Sequence, residues 1–219
     1  MSNSWHLYKS QPSFVLGFHG TESSTVNVLL ADPSRHLTQS TGKLEWLGHG
    51  IYFWENDPLR AYEWAADGNP KSKIKEPDAV GAILDLKLCL DLTTRSGLTE
   101  VAEAYSLMAK SYKELGIQLP VNAGGPDKLK RELDCQVIMA VHKYREDNDL
   151  PAYDSIRAPF REDAELYPGA GFHRRTHVQV AVRNLNCIKG YFRPIPGKQS
   201  IDPMVVSGDP LSDHASDTF

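Results

Sequence analysis

Trp46-Leu47-Gly48-His49-Gly50-Ile51-Tyr52-Phe53-Trp54, followed shortly by Arg60-Ala61-Tyr62-Glu63-Trp64-Ala65, is the stretch on which the reading of this chain turns. Two glycines let the backbone bend, and Gly50 to Trp54 then reads as a short aromatic strand. Asp57-Pro58 opens a helix, with Asp as N-cap and Pro in the first turn, running through Ala65. Phe53, Trp54 and Trp64 read as core. Tyr52 and Tyr62 are placed to form two walls of a slot, and such walls suit a flat, electron-poor ring.

Working outward, Phe14 to Phe18 reads as a strand ending at His19-Gly20-Thr21. A helix follows near Ser23 to Leu30, with a serine or threonine cap. Ala79 to Leu90 is a long apolar strand candidate. Val101, Tyr105, Met108, Tyr112 and Leu115 recur at helical spacing, as do Leu129, Leu133, Val137, Val141 and Tyr144. His177 to Val182 and Cys187 to Phe192 are late strands parted by a turn at Arg183-Asn184. Strands at both ends with helices between predict an α+β fold. No internal repeat is present. The segment from Pro194 is rich in Pro, Gly, Ser and Asp without a period, which predicts one domain over 1–193 and a loose tail over 194–219.

The 219 residues are 41% hydrophobic and 24% charged, an ordinary balance for a water-soluble domain. No run approaches the roughly 20 apolar residues of a membrane helix. Met1 to Pro12 lacks the pattern of a secretory signal. Cys89, Cys135 and Cys187 lie far apart in apolar runs and read as buried thiols of a reducing compartment, so a cytoplasmic location is expected. No Cys-x-x-Cys or His-x-x-x-His pair suggests a metal. The net charge of −4 argues against broad affinity for nucleic acid. His173-Arg174-Arg175 is a small basic spot, not a patch.

Three segments carry chemistry-bearing residues. In the first, strand alternation sets His19 on the face opposite Phe14, Leu16 and Phe18, and Gly20 permits close approach of a ligand to the backbone. The second is the aromatic stretch quoted above. In the third, Thr176-His177-Val178-Gln179-Val180-Ala181-Val182, the three valines face inward, with His177 and Gln179 together on the other face. Each segment alone has a plain structural reading. Together, and in this order, they resemble the ADP-ribosyltransferase superfamily, in the branch with a His-Tyr-Glu triad that holds the poly(ADP-ribose) polymerases and diphtheria-type toxins. More narrowly, the chain resembles a bacterial, toxin-like group with the same aromatic core and a His-x-Gln late strand. The resemblance spans roughly residues 14 to 192.

The resemblance implies a split mixed or antiparallel sheet with flanking and inserted helices, and NAD⁺ as substrate. It implies that His19 binds the adenosine ribose, with Thr21 assisting. It implies that the Gly20 backbone holds the nicotinamide carboxamide, and that Tyr52, preceded by Gly50, and Tyr62 sandwich the nicotinamide ring. Gln179 takes the place of the family's Glu and keeps its hydrogen bond without its charge. Transfer of a single ADP-ribose to a protein or nucleic-acid acceptor is therefore expected, as in a toxin or defence effector with a neutralising antitoxin. Glu162, Asp163 and Glu165 read as a solvated loop; the alternative is that one of them supplies the missing carboxylate. Other readings are a module that binds NAD⁺ or ADP-ribose without chemistry, an NAD⁺ glycohydrolase, and an RNA 2′-phosphotransferase.

Overall fold

The computed structural model describes residues 14–67 and 74–195. Met1 to Pro12 and nearly all of the expected tail lie outside the described residues.

The fold is α+β. Its centre is a mixed sheet of seven strands, in the order β4-β7-β8-β2-β1-β3-β9. The strands are β1 (Val15–Glu22), β2 (Ile51–Glu55), β3 (Pro77–Leu84), β4 (Cys89–Asp91), β7 (Ser155–Phe160), β8 (His177–Val182) and β9 (Ile188–Phe192). All neighbours are antiparallel except β4 and β7. The short β5 (Asn122–Ala123) and β6 (Lys130–Arg131) form a separate hairpin. The helices are α1 (Ser23–Ala31), α2 (Pro58–Ala66), α3 (Arg95–Glu114) and α4 (Glu132–Asp147).

Both faces of the sheet are covered, which is why its central strands lack a solvent-facing row. On one face Val26 and Leu29 of α1 pack with Ile51, Phe53, Val80, Ala82, Leu84, Val180 and Val182. On the other, two clusters sit side by side. One joins Ala104 of α3 and Ile138 and Val141 of α4 to Leu90, Ile156, Ala158 and Ala181. The second joins Ala61 of α2 to Phe18, Trp54 and Ala79. Helix α2 comes very close to β1: a Cβ on Gly20 would lie 1.9 Å from the Ala61 carbonyl oxygen. Gly20 is thus required by helix packing, a plainer role than ligand approach.

Several elements follow the sequence pattern. Asp57 caps α2, its carboxylate accepting from the Arg60 amide at 2.9 Å, with Pro58 in the first turn. Strand β8 covers the expected residues. Cys89, Cys135 and Cys187 are buried free thiols. Other expectations are corrected. Strand β1 does not end at His19-Gly20-Thr21 but continues to Glu22, because β3 pairs with it along all eight residues. Helix α1 has no side-chain cap; its first amide, Ser23, donates instead to the Glu76 carbonyl. The Ala79–Leu90 run breaks into β3 and β4 at Lys87, whose φ is +49°. Helix α4 begins at Glu132 rather than near Leu129, and the Asn122 side chain accepts from the Leu133 and Asp134 amides. Cys187 lies in a 3₁₀ turn before β9.

Candidate functional site

Strands β1 and β2 pair only at Gly17–Glu55 and Phe18–Trp54. Beyond that point β1 stays with β3, and β2 stays with β8 through Ile51–Val182. The sheet therefore forks, and His19 stands at the fork. Its Nδ1 lies 2.7 Å from the Tyr52 carbonyl oxygen. A carbonyl only accepts, so Nδ1 carries the hydrogen and the imidazole replaces a missing ladder bond. Burial lowers the His19 pKa below 6.5, against the pull of that carbonyl. The ring is neutral at pH 7, and Nε2 keeps a lone pair for a hydroxyl donor.

Tyr52 is fixed by its tip. The hydroxyl donates to the Gly48 carbonyl at 2.6 Å and accepts from the Leu47 amide at 2.8 Å. The turn between them needs Gly48, whose φ is +72°. Burial raises the phenol well above its usual range. Tyr52 thus offers no proton, only a ring held rigidly.

Gln179 faces the α2/α3/α4 side, between Trp54 of β2 and Ala158 of β7. Sequence alone favours an exposed strand residue there, yet Gln179 is only 8% exposed. Its side chain has no hydrogen bond among the described residues, so donor and acceptor remain available to a ligand. The α2 cluster and the α3/α4 cluster flank the strip that carries Tyr52, Trp54 and Gln179. An apolar pocket of about 500 Å³ adjoins this strip, with Leu47, Ala158 and Phe160 among its walls.

The other expected residues are placed as follows. Thr21 is half-buried and pairs with Asp78 of β3. Gly50 is buried and bridges Ser40 through two backbone hydrogen bonds. Tyr62 lies on α2, 44% exposed, with no ring contact to Tyr52 among the described residues. Asp163 and Glu165 are exposed. Glu162 is not in a solvated position: it is 7% exposed and pairs with Arg60 at 2.8 Å.

Sequence reasoning missed Arg60 and His177 as members of the site. Arg60 lies with its guanidinium carbon 5.6 Å from the Trp54 ring centroid. The His177 ring is 5.8 Å from that of Phe160 and 6.5 Å from that of Trp54. Both line a cleft of about 260 Å³ with Asp57, Glu63, Arg175 and Thr176. The available signal was strand alternation, which puts His177 on the face of Gln179. Nothing local announced the Arg60–Glu162 pair, whose partners lie 102 residues apart.

Comparison with protein-family models, curated proteins and solved structures finds no match. Among the described residues no cluster of His, Cys, Asp or Glu is arranged to hold a metal ion, and no helix is long and apolar enough to cross a membrane.

Proposed function

We propose that this chain binds NAD⁺ at the fork and transfers one ADP-ribose to a macromolecular acceptor, releasing nicotinamide. The observation that carries the reading is the fork: His19, on the α1-side face with Val80 and Phe53, bonds the Tyr52 carbonyl where β1 leaves β2, while the Tyr52–Trp54–Gln179 strip lines the opposite face of β2 and β8. His19 Nε2 accepts from a ribose hydroxyl. The Tyr52 ring, immobilised at its hydroxyl, gives one face to the pyridinium. The Gln179 carboxamide bonds the second ribose.

Breaking the nicotinamide–ribose bond builds positive charge on that ribose, as in glycoside cleavage. A carboxylate beside it would stabilise the charge, whereas the Gln179 amide contributes only a dipole. Glu162 is occupied by Arg60 and does not substitute. This favours single transfer at modest rate over polymer extension. The uncharged Gln179 also supports a second reading, an NAD⁺- or ADP-ribose-binding module with weak or no chemistry; hydrolysis of NAD⁺ by water is the intermediate case. A toxin or defence effector paired with an antitoxin would fit the transferase reading.

The test is incubation of the purified chain with adenylate-labelled NAD⁺ in a cell extract, followed by separate protease and nuclease digestion. Label removed by protease identifies a protein acceptor, and label removed by nuclease a nucleic acid. Nicotinamide release without labelling means hydrolysis. Neither release nor labelling means a binding module or nothing at this site, which titration with NAD⁺ separates.

A further inference from the structure

Helix α3 runs for 20 residues, yet only Gly97 and Ala104 of it are buried. Leu98, Val101, Ala102 and Tyr105 recur on it at helical spacing and form an apolar stripe. Leu98 is 54% exposed and Tyr105 41%. With Trp46, Leu133, Val137 and Phe160 they wall the apolar groove of about 500 Å³ between α3, α4 and the end of β7. The groove is open to solvent among the described residues. An apolar concavity of that size, built from several elements, marks a binding surface.

We propose that the chain's own segment Met1–Ser13 covers this groove, with Trp5, Leu7 and Tyr8 as its apolar anchors. The sheet register supplies the path. Phe160 pairs with His177, and Gln179, two residues on, pairs with Trp54. The Asn56 amide, two residues past Trp54, donates to the Leu16 carbonyl at 2.9 Å. Phe160, His177, Asn56 and Leu16 therefore stand in one row across β7, β8, β2 and β1. Three strand spacings, about 14 Å, separate Leu16 from Phe160. The chain upstream of Leu16 thus leaves β1 at the end of the sheet where the groove lies. Leu16 also shares a face with Phe18, which packs on the α2/α3/α4 side, the side of the groove.

Length and composition fit as well. Tyr8 and Trp5 precede Leu16 by eight and eleven residues, an extended reach of about 26 Å and 36 Å. That margin allows a path around the first turn of α2. The segment carries Lys9 and no acidic residue, and α3 exposes Glu103 next to Ala102 of the groove. The segment after Ile195 is the poorer occupant. It holds Asp202, Asp209, Asp213 and Asp217, and it follows β9, five strands away from β7. Strand β9 also runs in the direction of β1, so its chain exits at the opposite end of the sheet. The contact requires no NAD⁺ chemistry, so docking alone decides it.

The test uses the full chain with p-benzoylphenylalanine in place of Tyr8. Irradiation is expected to link that position, within one molecule, to peptides covering residues 92–105 or 131–138, read by mass spectrometry. Links only to other segments, links between two copies, or no links overturn the proposal. A second measurement needs no foreign residue. Trp5→Ser, Leu7→Ser and Tyr8→Ser together are expected to speed amide exchange over residues 98–105 and 133–138 by about tenfold or more. A synthetic peptide of residues 1–13 should restore the slow exchange, and Leu98→Lys with Tyr105→Lys should block that rescue. Unchanged exchange in the triple variant overturns the proposal. So does the same loss produced instead by Met204→Ser, Val205→Ser and Val206→Ser, which would give the groove to the segment after Ile195.

Discussion

His19 Nδ1 donates to the Tyr52 carbonyl at the fork between β1 and β2, 2.7 Å away. Because the same ring is proposed to face a ribose, one substitution has two measurable effects. His19→Ala removes a bond worth about 1 kcal/mol, so the urea midpoint falls modestly. It also removes the Nε2 acceptor, and NAD⁺ affinity measured by calorimetry drops about tenfold or more. A drop in stability with unchanged affinity would confine His19 to holding the fork together.

Tyr52→Phe separates ring from hydroxyl. The ring stays, while the Leu47 amide and Gly48 carbonyl lose their partner. Stability is expected to fall by about 1–3 kcal/mol, with KM for NAD⁺ rising more than kcat falls as the loop loosens. Tyr52→Ala deletes the stacking face as well and abolishes nicotinamide binding. An alanine variant that consumed NAD⁺ at the parental rate would count against the whole site.

Gln179→Glu tests the missing charge. The position is 8% exposed, so burial raises the pKa of the introduced carboxyl. Ionised, it stabilises the developing positive charge; protonated, it acts no better than the amide. Nicotinamide release should therefore exceed the parent's by about tenfold at pH 8 and converge on it as pH falls. A rate gain independent of pH would contradict this, and loss of NAD⁺ binding would mean that Gln179 does not face the substrate.

Arg60→Ala leaves Glu162 charged, buried and unpaired, which costs about 3–5 kcal/mol. The pair ties α2 to the loop before β8, so the damage should include faster proteolysis of residues 161–176. Arg60→Leu with Glu162→Leu should recover most of the stability, as seen in urea melts, while nicotinamide release stays low. Full activity in the double variant would make the pair purely structural.

How much of this was legible in the sequence depends on the range of the interaction. Asp57-Pro58 announced α2, and period-two alternation put His177 and Gln179 on one face of β8, because both signals are local. Strand β7 was not read at all: Ser155-Ile156-Arg157-Ala158-Pro159-Phe160 holds a charge and a proline, and only its parallel pairing with β4 and antiparallel pairing with β8 make it a strand. The burial of Glu162 was missed for the same reason, since its partner Arg60 comes from a distant helix. The fork itself is a difference between two pairing registers, and the motif at His19-Gly20 hinted at it only through family resemblance.

The last prediction concerns acid stability. His142 of α4 is 7% exposed, and neither ring nitrogen has a partner. Burial first, then the nearby Arg183 and Arg145 charges, hold its pKa down at about 3. In the unfolded chain it titrates near 6.5. Between those values the unfolded state binds the extra proton, so stability is complete above pH 6.5 and is lost as pH falls toward 3. One such group gives a slope of about 1.4 kcal/mol per pH unit, and His177, also depressed, adds to it in the upper part of the window. His142→Phe removes both unmet nitrogens and the titration. Urea melts at pH 7 and pH 5 should show the variant at least as stable as the parent at pH 7 and clearly more stable at pH 5. An unchanged slope between the two pH values would mean that His142 gains a proton and a partner in the folded state.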